Sequence, residues 1–134
     1  MPTLETLRKS LEKTASDAKD MFLATTTPKT REVFLSRGQL GDEGTGAVYA
    51  YFDADGRAVY VGETGRRIKS RMHDETSPHA KAAWWPSWTA MRFLRVSDRT
   101  DRLTLELLLI LALEPPFNAK PGARVFAEMF ASAD

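Results

Sequence analysis

The sequence has no cysteine and only two histidines, His73 and His79. The absence of cysteine excludes disulfide bonds and thiolate metal sites, and it is typical of proteins from reducing compartments. The two histidines have no further ligand at a recognisable spacing, so they do not indicate a metal site of their own.

Long apolar runs are also missing. The longest, residues 107–113, is far too short to cross a membrane, and the first residues lack the apolar stretch of a signal peptide. We therefore expect a cytoplasmic protein that does not enter membranes, with a secreted effector as the alternative.

The charge is nearly balanced, because 19 basic residues stand against 18 acidic ones. Its distribution is less even: residues 63–72 carry a local net charge of +3, whereas the charges of residues 1–45 sum to zero. One basic cluster in a balanced chain favours a focused anionic ligand over a broad polyanion surface.

The first third of the chain is predicted to be a helix followed by a connector. Apolar residues recur at helical spacing, which predicts an amphipathic helix from about Thr3 to Phe22 with Thr3 as its N-cap. Residues 25–45 lose this periodicity, apart from one short ordered piece near residues 31–35. We therefore divide the chain into an N-terminal helix with its connector, residues 1–45, and a domain of residues 46–134.

The second part mixes strands and helices. Two β-prone runs flank a turn and predict a hairpin, and a third strand follows later: residues 47–52, 57–61 and 88–96. Helices are expected over residues 64–74, with Thr64 as N-cap, over 100–113, where two prolines end the helix, and over 123–131. The expected fold is of the α/β (α+β) class, a small three-stranded sheet flanked by helices, with an N-terminal helical arm.

Glu106 is the most unusual charged residue. It lies within residues 103–113, a helix that is apolar nearly all round and is therefore expected to be buried. A buried carboxylate needs an ion pair, hydrogen bonds or a metal. One interpretation is structural, either an ion pair with Arg102 or a solvent-facing stripe shared with Arg99 and Arg102. The other interpretation is a functional ligand.

The remaining candidates carry less information singly. Arg66 and Arg67 are predicted in the first turn of a helix, so they form either a phosphate site or an ordinary solvated basic face. Tyr49 and Tyr60 lie on the two hairpin strands, where most tyrosines only pack. Three tryptophans are expected to pack on a core, with stacking on exposed bases as the alternative: Trp84, Trp85 and Trp88.

Taken in order, these positions resemble the motifs of the GIY-YIG nuclease superfamily. The first motif corresponds to residues 47–49, Ala-Val-Tyr, with alanine where the family usually has glycine, and the second to residues 60–62, Tyr-Val-Gly. The family's arginine corresponds to Arg71. Its glutamate motif corresponds to residues 105–110, and its asparagine to Asn118. The resemblance covers roughly the central half of the chain.

The resemblance implies an endonuclease that depends on a divalent metal and hydrolyses phosphodiester bonds in DNA, most simply double-stranded DNA. It implies that Glu106 binds one Mg²⁺ or Mn²⁺ per active site and that Arg71 binds the scissile phosphate. Tyr49 would be the general base, Tyr60 would contact the phosphate or the attacking water, and Asn118 would hold the local structure.

The activation of the base is left open by the resemblance. A tyrosine has an unperturbed pKa of about 10, so a nearby cation must lower it. The residue that assists the first tyrosine in the family is not at its usual place, which leaves Lys69, Arg67 and His73 as candidates. Arg66, Arg67, Lys69 and Arg71 are the expected DNA-binding residues, and Arg66 or Arg67 is the alternative to Arg71 at the phosphate.

Other functions remain as alternatives. The chain is either an active nuclease, a nucleic-acid-binding module of the same fold without catalysis, or a nuclease subunit that needs a partner. A further interpretation makes the N-terminal helix an interaction element, which forms a homodimer, binds a protein partner or wraps around DNA.

Overall fold

The computed structural model describes residues 1–35, 44–68 and 82–118. Within these ranges the chain forms three α-helices and one four-stranded antiparallel sheet, which confirms the α+β class. The helices are α1 (Leu4–Thr25), α2 (Arg31–Leu35) and α3 (Arg99–Leu113). The strands are β1 (Lys29–Thr30), β2 (Ala47–Asp53), β3 (Ala58–Thr64) and β4 (Trp88–Arg95).

The strands lie in the order β1-β4-β2-β3, so β3 is an edge strand and β2 is central. In the register, Tyr49 of β2 pairs with Gly62 of β3 on one side and with Phe93 of β4 on the other. The prediction of three strands is therefore incomplete by one. Strand β1 has only two residues, too few to show the alternation by which a strand is recognised.

Side chains of the central strand alternate between two apolar layers, as the two-residue period of a strand requires. Tyr49 and Tyr51 pack with Trp84, Trp88 and Met91 on what we call the tyrosine face. The opposite face of the sheet, which we call the helix face, carries Val48, Ala50 and Val61 and packs against α1 and α3. Trp84 and Trp88 are buried, which confirms their predicted place in a core.

Helix α1 begins at the predicted N-cap, where Thr3 and Thr6 form reciprocal side-chain-to-backbone hydrogen bonds. Only its second half is buried: Phe22 is 0% exposed and packs with residues of α3, whereas Leu4 is 81% exposed. The helix is therefore an arm over its first half and part of the core over its second. The division of the chain at residue 45 stays a prediction.

The segment after β3 differs from the prediction. Strand β3 extends to Thr64, which pairs with Ala47, so Thr64 is the last strand residue and not a helix N-cap. Its hydroxyl accepts a hydrogen bond from the backbone N–H of Arg66 at 3.1 Å across a bend. Arg66 and Arg67 consequently lie in this bend, and their predicted place in a first helical turn is wrong.

The difference arises because β3 continues to pair with β2 beyond its apolar residues, through Gly62 and Glu63 to Thr64. The helix predicted over residues 123–131 and most of that over 64–74 lie outside the described residues. None of the helices in the described ranges is long and apolar enough to cross a membrane.

Candidate functional site

Tyr49 and Tyr60 lie on neighbouring strands with their ring centroids 6.4 Å apart and the planes inclined by 28°. Tyr49 is buried, at 1% exposure, and Tyr60 is half-buried. On the other side, Tyr60 stacks on Trp84 at 4.8 Å, nearly parallel. The hairpin register therefore brings together the two tyrosines that the sequence singled out.

Gly62 makes room for the end of the Tyr49 side chain. A Cβ placed on Gly62 would lie 2.5 Å from both Cζ and the hydroxyl oxygen of Tyr49, well inside van der Waals contact. The phenol of Tyr49 thus crosses over the backbone of Gly62 on the edge strand. Glycine is required at this position by close approach of a side chain, since its φ is not in the left-handed region.

Glu106 is buried on α3, at 3% exposure, as the apolar helix predicted. The buried side chains of α3 recur at helical spacing and form one stripe: Arg102, Leu105, Glu106, Leu109 and Ile110. Leu105, Leu109 and Ile110 pack on the helix face of the sheet. The interpretation of Glu106 as part of a solvent-facing stripe is therefore wrong.

Arg102 forms its ion pair with Glu63, whose Oε2 lies 3.0 Å from Nε of the guanidinium. Its Nη1 donates to the carbonyl oxygens of Ser97, at 2.7 Å, and Val96, at 3.3 Å. The interpretation of an Arg102–Glu106 ion pair is therefore wrong. Glu63 takes this place because it pairs with Val48 in the register and so faces α3.

Asn118 holds the outer edge of β3. Its side-chain amide donates to the carbonyl oxygen of Val61 at 2.7 Å, and its side-chain oxygen accepts from the N–H of Val61 at 2.8 Å. The described contacts of Asn118 are thus with the backbone next to Tyr60. They agree with the structural role that the sequence suggested for it.

The structure brings some candidate residues together and separates others. Tyr49, Tyr60 and Asn118 meet on or beside β3, whereas Glu106 belongs to a helix on the opposite face of the sheet. Because β3 is an edge strand, the two faces adjoin along it, and Gly62 leaves that edge without a side chain. A shared site would therefore lie around the edge at Gly62.

The remaining candidates divide into two groups. Arg66 and Arg67 are exposed in the bend that follows β3. Three others lie outside the described residues: Lys69, Arg71 and His73. In the part of the chain that is described, no group of three or more acidic, histidine or cysteine side chains could hold a metal ion. Among the described residues, Glu106 is the carboxylate that the resemblance assigns to a metal.

Sequence reasoning missed the pair of Arg102 and Glu63 and the steric role of Gly62. Arg102 and Glu63 are separated by 39 residues, and neither stands in a recognised motif. The register of the hairpin, which sets Gly62 opposite Tyr49, was the signal that could have revealed the glycine contact.

In comparisons with known proteins, no family model, no curated protein and no solved structure matches this chain.

Proposed function

We propose that the chain is a divalent-metal-dependent endonuclease that hydrolyses phosphodiester bonds in DNA, with a site of the GIY-YIG type. The observation that carries this proposal is the position of Tyr49. Its hydroxyl lies over Gly62 of edge strand β3, and its ring lies beside Tyr60 of the same strand. The ion pair of Arg102 and Glu63 joins this strand to the helix that carries Glu106. Two tyrosines thus meet over one short stretch of β3, and Glu106 lies on the helix that this ion pair joins to the same strand.

Each tyrosine would have a separate task. Tyr49 would accept the proton of the attacking water as general base, a task that requires a nearby cation because the unperturbed pKa of tyrosine is about 10. Tyr60, half-buried at the same edge, would hydrogen-bond the phosphate or the water. Arg67 is a described cation in the bend that follows β3, and Lys69 and His73 stay alternatives to it.

The donor at Glu106 fits a hard divalent cation. Mg²⁺ and Mn²⁺ prefer oxygen ligands, and a site with one carboxylate leaves most coordination positions to water. When bound, the ion would supply charge stabilisation to the leaving oxygen. Arg102, one helical turn before Glu106, fixes this part of α3 against β3 and the end of β4 through its three hydrogen bonds.

Substitution of Glu106 tests the proposal. We expect Glu106→Gln to abolish Mg²⁺-dependent cleavage of plasmid DNA, with a far-UV circular dichroism spectrum like that of the wild type. Glu114→Gln is the matched control, because Glu114 is an exposed carboxylate at the C-cap of the same helix. EDTA should stop cleavage by the wild type. Full activity of folded Glu106→Gln would remove Glu106 from the site.

The burial of Tyr49 favours a second candidate, a nucleic-acid-binding module without catalysis. A general base must reach a water molecule, and Tyr49 is 1% exposed and packed between Tyr51 and Tyr60. Wild-type protein incubated with plasmid and either Mg²⁺ or Mn²⁺ separates the two. Binding without nicking in both metals would favour the module, and nicking that EDTA prevents would favour the nuclease.

A further inference from the structure

We infer that Arg95, together with Arg66 and Arg67, forms a surface that binds the phosphate backbone of a nucleic acid. We call these three residues the arginine row. The inference rests on the proposed function and extends it to Arg95, which no motif of the sequence includes. All three side chains are exposed and lie where β3 and β4 end.

The register of the sheet sets the geometry of the row. Ala47 pairs with Arg95 on one side and with Thr64 on the other, so these three positions form one line across β4, β2 and β3. Adjacent strands lie about 4.8 Å apart, so the line spans roughly 10 Å before the bend that carries Arg66 and Arg67. This width exceeds a single phosphate group and suits consecutive phosphates of a chain.

Arg95 shares the tyrosine face with the proposed base. The Ala47–Arg95 pair lies two positions along the ladder from the Tyr49–Phe93 pair, and positions two apart on a strand share a face. Diagonal neighbours on one face are about 7–8 Å apart. A phosphate bound by Arg95 would therefore lie on the same face of the sheet as Tyr49, about one diagonal step away from it.

Backbone contacts fix both ends of the row. The N–H of Gly46 donates to the carbonyl oxygen of Arg66 at 3.1 Å, and the N–H of Val96 donates to the carbonyl oxygen of Gly46 at 3.0 Å. The guanidinium of Arg95 lies directly against Gly44, where any Cβ would overlap it. The arginines thus project from a hydrogen-bonded backbone, which reduces the ordering cost of binding.

Two acids that are close to the row in sequence have partners of their own. Glu63 is bound to Arg102, and Asp98 caps α3 by accepting from the N–H of Asp101 at 2.9 Å. Guanidinium groups bind phosphate oxygens with two parallel hydrogen bonds, so arginine suits this surface better than lysine does.

The test is the salt dependence of DNA binding, measured in EDTA by fluorescence anisotropy with a labelled duplex. Each phosphate contact contributes about 0.9 to the slope of log K against log salt concentration. Arg95→Ala should lower the slope by about 0.9 and the affinity by about eightfold at 0.1 M salt. Arg95→Gln, which keeps most of the alkyl stem, should behave alike and guards against a folding effect.

Arg57→Ala is the matched control, because Arg57 is exposed at the opposite end of the hairpin. Its slope and affinity should equal those of the wild type. The inference is overturned if both Arg95 variants bind as the wild type does, if Arg57→Ala loses as much, or if the wild type binds no duplex. EDTA prevents metal-dependent cleavage, so this binding test does not depend on catalysis. If the Arg95 variants show the expected loss of slope but the wild type never cleaves DNA in Mg²⁺ or Mn²⁺, the nuclease is rejected and the surface is retained.

Discussion

Asn118 pairs with Val61 as a further strand would, donating to its carbonyl oxygen and accepting from its N–H through one side chain. The backbone N–H of Phe117 adds a third contact, to the carbonyl oxygen of Val59 at 3.3 Å. Together these contacts satisfy three backbone polar groups of edge strand β3, the N–H and carbonyl of Val61 and the carbonyl of Val59, which would otherwise be open to another chain.

Removal of this clamp should therefore destabilise the sheet. We expect Asn118→Ala to lower the free energy of unfolding by about 1–3 kcal/mol, because it removes both partners of Val61. Urea unfolding followed by tryptophan fluorescence measures the change. Asn118→Asp keeps the acceptor and loses the donor, so its free energy of unfolding should lie between those of the wild type and Asn118→Ala. Equal stability of wild type and Asn118→Ala would contradict the structural role.

Gly62→Ala should force Tyr49 out of its position. The new methyl group would lie 2.5 Å from the phenol, and overpacking of this kind costs about 1–3 kcal/mol. A double-mutant cycle with Tyr49→Ala isolates the clash, since Gly62→Ala should be nearly neutral once the ring is gone. An undiminished cost in the Tyr49→Ala background would show that the strain lies elsewhere.

Arg102→Leu should cost roughly 3 kcal/mol, because it leaves Glu63 without its ion pair in a partly buried place. The exposed pair of Lys13 and Asp17 supplies the control, and Lys13→Ala should cost less than 1 kcal/mol. Thermal or urea unfolding of both variants gives the comparison. Similar losses for the two substitutions would show that burial adds nothing to the Arg102 pair.

Helix α1 offers an internal comparison between its two halves. Phe22→Ala should destabilise the fold by about 3–5 kcal/mol, as large-to-small changes in a core do. Leu4→Ala, on the exposed half of the same helix, should change stability by less than about 0.5 kcal/mol. If Leu4→Ala lowers stability only at high protein concentration, the exposed half contacts a second copy. If Leu4→Ala and Phe22→Ala lower stability equally at all concentrations, the division of the helix into an exposed and a buried half is contradicted.

Much of this fold could be predicted from local patterns in the sequence. The helix with its Thr3 cap, the hairpin, the strand β4 and the helix of Glu106 all follow from periodicity and turn residues. The nearness of Tyr49 and Tyr60 follows from the hairpin as well, because strands joined by a short turn must pair.

What could not be predicted depends on contacts between distant segments. The two residues of β1 form a strand only because β4 lies beside them, and Thr64 stays in the sheet because Ala47 pairs with it. The partner of Arg102 was misjudged for the same reason. Spacing along α3 indicated Glu106 as the partner of Arg102, whereas the packing of the helix against β3 brings Glu63 to Arg102 instead.

The packing of α1 on α3 has a consequence for synthesis of the chain. Phe22 lies in one core cluster with Leu105, Leu109 and Ile110, and these partners follow about 80–90 residues later in the chain. At typical translation rates of about 5–20 residues per second, Phe22 waits on the order of 4–18 s for them. During that time the nascent helix carries an apolar stripe that α3 cannot yet cover.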